Sequence, residues 1–333
     1  MYFDVVMPFA LFVVVLVAVF LNGKVEGKLK GVFEEREFQM RDVVLFAVFV
    51  GLTVSIVVFV PQFALIAVFL FAYSALLFTF SYVFSCVNRS VAQLLCSAVG
   101  VVCVVAALGV SMFMSGGLTV YAVAAFAGLA VFAFACVFYE FKRVPKGERW
   151  YLAVLPPILF VLLYMFYGGT QVWFPYLLDA YALVFAVLII LYVGTLFNWK
   201  STLVFALLFT GIDIVLVLVT GTMISAAKHV SGLGLPVLVS LPTLPLILKD
   251  QGLVYMSLGL GDFFFAGVLA VQTLKKFGRA ASLWSILSMS VSFGLFEAFL
   301  LNSSAFRGFP GTLMIVCGWL PIVAWKTWSK KQG

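Results

Sequence analysis

Apolar runs of about 20 residues follow one another along this chain almost without pause, separated by short polar or Gly/Pro-containing breaks. A run of that length is enough for a helix to cross a ~30 Å hydrocarbon layer. The pattern predicts eleven transmembrane helices, at about 5–22, 43–60, 63–86, 91–114, 118–140, 150–167, 172–197, 201–222, 252–274, 280–301 and 309–325. Pro61-Gln62 and Gly116-Gly117 mark the two tightest turns. One connection is long, residues 223–251, MISAAKHVSGLGLPVLVSLPTLPLILKDQ. It is apolar, but Gly232, Gly234, Pro236, Pro242 and Pro245 keep it from being a straight span. Loops of this length in compact proteins are often functional.

Composition agrees with the pattern. Of 333 residues 65% are hydrophobic and 10% charged, and the mean hydropathy is +1.22. The fold class is therefore an all-α polytopic membrane protein, with the lipid bilayer as its main solvent. The net charge of +7 reads as topology rather than as affinity for nucleic acid, and no basic-aromatic nucleic-acid module is visible. With the N-terminus outside, only Lys228, Lys249 and Arg307 of the 20 Lys and Arg fall on outer segments. The remaining cations fall on inner segments, and the C-terminus is cytoplasmic. Trp150, Trp173, Trp199, Trp325 and Trp328 lie at expected span ends, as interfacial anchors do. The five cysteines show no CxxC spacing and read as ordinary helix residues. Residues 1–22 read as a retained helix rather than a cleaved signal. Compact loops suit a prokaryotic plasma membrane, while the terminal KKQG keeps the endoplasmic reticulum open.

Four acids fall within spans: Asp179, Asp213, Asp262 and Glu297. An Asp at the centre of a membrane helix costs ~2.5–3.5 kcal/mol on insertion scales, so each needs a reason. Asp179 and Glu297 lie nearer the outer ends of their spans, where water or another helix can meet them. Asp213 lies ~18 Å from the inner end of its span and Asp262 ~15 Å from the outer end of the next. Two sequential antiparallel helices thus bring both carboxyls near the midplane.

Two carboxyls at close range in a low-dielectric site share one proton and titrate as a pair. Water attack on an amide needs that state: the ionised Asp accepts a proton from water while the protonated one hydrogen-bonds the carbonyl oxygen. No cofactor, metal or covalent nucleophile is required. Gly259 and Gly261, on either side of Leu260, remove side chains beside Asp262 and allow another backbone to approach. The single histidine, His229, lies in the outer loop. It therefore serves neither an HExxH zinc site nor an intramembrane Ser-His pair.

GID at 211–213 followed by GLGD at 259–262 resembles the presenilin and signal peptide peptidase family of GxGD intramembrane aspartyl proteases. The segment 223–242, with its Ala-Lys pair and later prolines, is similar to the corresponding loop of signal peptide peptidases. The family's Pro-Ala-Leu motif is represented by Pro310-Gly311-Thr312, where only the proline matches, and its usual Tyr before the first catalytic Asp is Ile212 here. The likeness spans about 200–325.

That resemblance implies an aspartic endopeptidase with Asp213 and Asp262 as the dyad. Gly259, Leu260, Gly261, Pro310, Gly311 and Thr312 shape the site. It also implies a nine-helix core over 63–333, with outer loop 223–251 and two added helices within 1–62. Substrates would be single-span transmembrane peptides or signal-peptide remnants with a cytoplasmic N-terminus. Such a substrate must be unwound, and in the family a substrate segment pairs as a strand beside the active site. The stretch LPVLVSLP, through Leu235, Val237 and Val239, offers an edge for it. Two other functions fit the same acids: a proton-coupled transporter relaying through Asp213 and Asp262, and an inactive relative that binds membrane partners.

Overall fold

The computed structural model describes residues 2–32, 38–113, 116–142, 149–249, 252–303 and 308–332. Arg36, Arg143, Lys146 and Arg307, used above in the charge pattern, lie outside the described residues, as do the loop residues 250 and 251. Nine helices among the described residues are long and apolar enough to cross a membrane. The chain is an integral, multi-pass, all-helical membrane protein carrying two short antiparallel strand pairs.

Two expected spans take a different form. The one at 252–274 begins as strand, and its helix runs only over Leu260–Phe277, with Asp262, Lys275 and Lys276 inside 18 residues. The one at 309–325 lies in a helix Gly311–Gln332 whose second half contains Trp325, Lys326, Thr327 and Trp328. Their hydropathy is diluted by charged and polar residues, so the count from length and composition stops at nine among the described residues.

The chain forms two compact units, residues 63–177 and residues 1–62 with 178–333. The first contains α3 (Gln62–Val83), α4 (Arg89–Phe113), α5 (Gly117–Lys142) and α6 (Trp150–Tyr167). Small residues, Ala92, Cys96, Cys103, Ala130 and Ala133, are buried where α4 and α5 pack, which lets the two backbones approach closely. The cysteines are free thiols inside this packing. Arg149, expected in a loop, is buried and pairs with Glu140 at 3.2 Å, while the Tyr151 hydroxyl donates to the other Glu140 oxygen. Trp173 is fully buried and edge-on to Tyr164 rather than interfacial.

The second unit contains α1 (Val6–Val32), α2 (Met40–Val57), α7 (Leu178–Val193), α8 (Trp199–Ile214), α9 (Thr222–Ser231), α10 (Leu260–Phe277), α11 (Arg279–Asn302) and α12 (Gly311–Gln332). Its centre is α10, buried continuously from Phe263 to Thr273 and packed by α1, α7, α8, α11 and α12. This grouping differs from the 1–62 and 63–333 division read from the sequence. Apolar side chains of α1, including Leu11, Val15 and Ala18, are buried, and α1 packs on α7, α10 and α11, while α2 packs on α8.

The ends of these helices sort into two groups. Tyr2 exchanges hydrogen bonds with Asn302 at the end of α11, and the Val5 N–H donates to the Leu244 carbonyl in the long connection. At the opposite end of α1, Glu26 pairs with Lys275 at 2.8 Å, and Lys276 lies over the Trp199 ring at the start of α8.

Candidate active site

The long connection is structured. After α8 a π-helical turn, Val215–Val219, leads to Gly221, whose φ of 66° suits glycine, and then to α9. Beyond it, β1 (Leu238–Pro242) pairs antiparallel with β4 (Tyr255–Gly259), and β2 (Leu248–Lys249) with β3 (Gly252–Leu253). Residues 255–259 are thus taken from the expected helix by a strand partner 13 to 21 positions earlier, a non-local pairing that hydropathy does not report. Asp262 consequently sits in the first turn of α10 rather than at mid-helix.

The two candidate carboxyls converge on the first turn of α12. Asp213, at the end of α8, accepts on Oδ2 from the Thr312 backbone N–H at 3.2 Å and the Thr312 hydroxyl at 2.6 Å. Asp262 approaches the preceding residue: a Cβ added at Gly311 would lie 2.6 Å from Asp262 Oδ1 and 2.8 Å from its Cγ. Adjacent residues of one helix turn therefore touch one carboxyl each, and Asp262 and Asp213 interact electrostatically. Pro310 is buried just before the helix, with its carbonyl accepting from the Met314 N–H. Its fixed φ suits that position. Both aspartates are half-buried.

Residues 311, 312 and 212 each have a local role in the packing. Gly311 supplies the room that Asp262 occupies, and Thr312 supplies a donor to Asp213. Ile212 packs on Gly51 of α2, where an added Cβ would meet Ile212 Cγ2 at 3.1 Å. Position 212 therefore serves the contact with α2. The expected close approach of backbone at Gly259 and Gly261 takes another form. Gly261 is exposed with open space around it, Gly259 faces the Asp262 carboxyl itself, and the close approach occurs at Gly311.

In the sheet beside the two carboxyls, the residues expected to offer a substrate edge lie on β1 or just before it. Leu235 and Val239 are buried, Val237 is half-buried, and the Val237 carbonyl accepts from the Leu260 N–H. That bond and Thr243 N–H to Val254 carbonyl fix the ladder phase: residues 237, 239, 241 and 243 of the β1 segment exchange bonds with the β4 segment. Ser240 points its N–H the other way, to Asp179 Oδ1 at 2.8 Å, and Pro242, with no N–H, also falls at an outward position. The outer edge of β1 is therefore already met by α7 at Ser240. In β4 the same phase turns the backbone of Ser257 away from β1. Met256, Ser257, Leu258 and Asp262 together line a cavity of about 380 Å³. The unpaired strand edge next to Asp262 belongs to β4.

Of the remaining membrane acids, Asp179 has the structural role just described. Glu297 is 1% exposed and neither carboxyl oxygen has a hydrogen-bond partner among the described residues. It lines the same cavity as Asp262. Among the described residues no group of three or more His, Cys, Asp or Glu is arranged to hold a metal ion.

Compared with known proteins, the chain matches no family model, no curated protein and no solved structure.

Proposed function

We propose that this protein is an intramembrane aspartyl endopeptidase of the presenilin and signal peptide peptidase type, with Asp213 and Asp262 as its catalytic pair. The observation that carries the reading is the meeting of both carboxyls at Gly311-Thr312, beside a strand with an open edge. Paired acids in a half-buried site need a function that repays their insertion cost, and hydrolysis by a shared-proton pair is one.

In this reading a transmembrane substrate unwinds and adds as a strand to β4, whose Ser257 supplies an outward N–H and carbonyl. The scissile amide then lies over the dyad. Asp213, with Oδ2 held by Thr312, keeps Oδ1 for water and acts as the base. The water oxygen attacks the carbonyl carbon as its proton passes to Asp213. Asp262 donates its proton to the carbonyl oxygen, giving a tetrahedral diol. Collapse returns a diol proton to Asp262 while Asp213 protonates the amine nitrogen, and the C–N bond breaks. The half-exposed carboxyls and the bare Gly261 give water a path to the pair.

The same proposal includes eleven spans, with α10 and α12 crossing alongside the nine apolar helices, an outer N-terminus and a cytoplasmic C-terminus. The sorting of helix ends supports it: Tyr2, Leu244 and Asn302 gather at one end of their unit, and Glu26 and Lys275 at the other. Substrates are single-span peptides with a cytoplasmic N-terminus. The test is cleavage of such a peptide by the purified chain in a bilayer, compared with Asp213→Asn and Asp262→Asn. Equal cleavage by either variant and the wild type removes the proposal.

A further inference from the structure

The cavity beside the dyad holds a second acid that the hydrolysis does not use. Glu297, on the last turns of α11, is 1% exposed, lines the same cavity as Asp262, and leaves both carboxyl oxygens without a hydrogen-bond partner among the described residues. A buried, unpartnered carboxyl is costly, so a retained one points to a partner that arrives from elsewhere. Another acid, Asp4, interacts electrostatically with Glu297 but is itself satisfied: its carboxyl accepts from the Val6, Met7 and Leu244 N–H groups. The surroundings are thus acidic, and among the described residues no Lys, Arg or His lines the cavity. At about 380 Å³ it has room for one long side chain. Beside Met256, Ser257 and Leu258 of β4, it opens along the edge where the proposed substrate strand lies.

We infer that Glu297 forms a specificity subsite for a basic side chain, Lys or Arg, carried by the substrate segment within a few residues of the scissile bond. This rests on the endopeptidase reading for its substrate but not for its binding chemistry. An ammonium or guanidinium fills the donor deficit of Glu297 with charge-assisted hydrogen bonds. Its aliphatic stem runs along Phe293, Leu300 and Met314, which line the same cavity.

The test scans a single Lys through a Leu/Ala transmembrane peptide and measures both binding and cleavage by the full chain in lipid nanodiscs. Binding is read on the Asp213→Asn background, so that it does not depend on turnover. The expected result is one Lys register bound about tenfold more tightly than its Leu counterpart. Glu297→Gln, which is isosteric, should reduce that preference to about twofold, with melting of the protein little changed. No register preference in the wild type, or an unchanged one in Glu297→Gln, overturns the subsite. Arg307→Ala should leave the preference unchanged; a preference that appears only in that variant would make Arg307 the partner of Glu297 within the protein and overturn the subsite as well. A preference that depends on Glu297 without any cleavage would sink the endopeptidase reading and keep the subsite. Cleavage without a preference would do the reverse.

Discussion

At the scale of single residues, the first turn of α12 holds the proposed dyad, and two substitutions should separate activity from stability. Thr312→Val keeps the side chain's shape but removes the hydroxyl that donates to Asp213 at 2.6 Å. A kcat about tenfold lower is expected, with the melting temperature close to wild type. Gly311→Ala places a methyl where Asp262 Oδ1 now sits. The carboxyl can turn aside at little cost to folding, but a displacement of that size is worth about 100-fold in rate. A Gly311→Ala protein of full activity would show that the two carboxyls do not work at this turn. Because one carboxyl must be ionised and its partner protonated, kcat/KM should follow a bell in pH, falling on the acid side as the base protonates and on the alkaline side as the acid ionises. Asp213 and Asp262 stood out in the sequence as candidates because a charge is conspicuous against apolar helix. The roles of Gly311 and Thr312 were less so, since proximity between residues 50 or 100 positions apart leaves no periodic trace. The unsatisfied state of Glu297 likewise depends on what fails to surround it.

At the scale of elements, the strands changed the reading most. Hydropathy makes 252–274 one helix, yet Tyr255–Gly259 pairs with Leu238–Pro242, and α10 starts only at Leu260. A periodicity-based reading scores each segment by itself, whereas a strand is stabilised by its partner. The prolines of 235–242 did mark extended chain, but the free edge lies on the other strand. Ser257→Pro tests that edge. Proline is tolerated where the N–H points away from the ladder, so the fold should persist, while peptide binding weakens by about tenfold or more through loss of the outward donor. An unchanged affinity would place the substrate elsewhere.

At the scale of the whole molecule, the apolar runs were enough to establish a multi-pass helical membrane protein. The grouping of helices was not legible, because α1 and α2 carry no sequence mark of what they pack against. The structure joins them to α7, α8, α10 and α11, with Ile212 next to Asp213 seated on Gly51. Removal of residues 1–62 is therefore expected to yield no stable, cleaving protein, as judged by monodispersity in detergent and by peptide hydrolysis. An active chain of 63–333 would instead support a self-sufficient nine-helix core. The central claim, a two-aspartate hydrolase, is tested most directly by mass spectrometry of a single-span peptide incubated with the purified full chain in proteoliposomes. The account predicts a defined internal cut that vanishes in both Asp213→Asn and Asp262→Asn. No cut in the wild type, or a cut that survives loss of either aspartate, would contradict it.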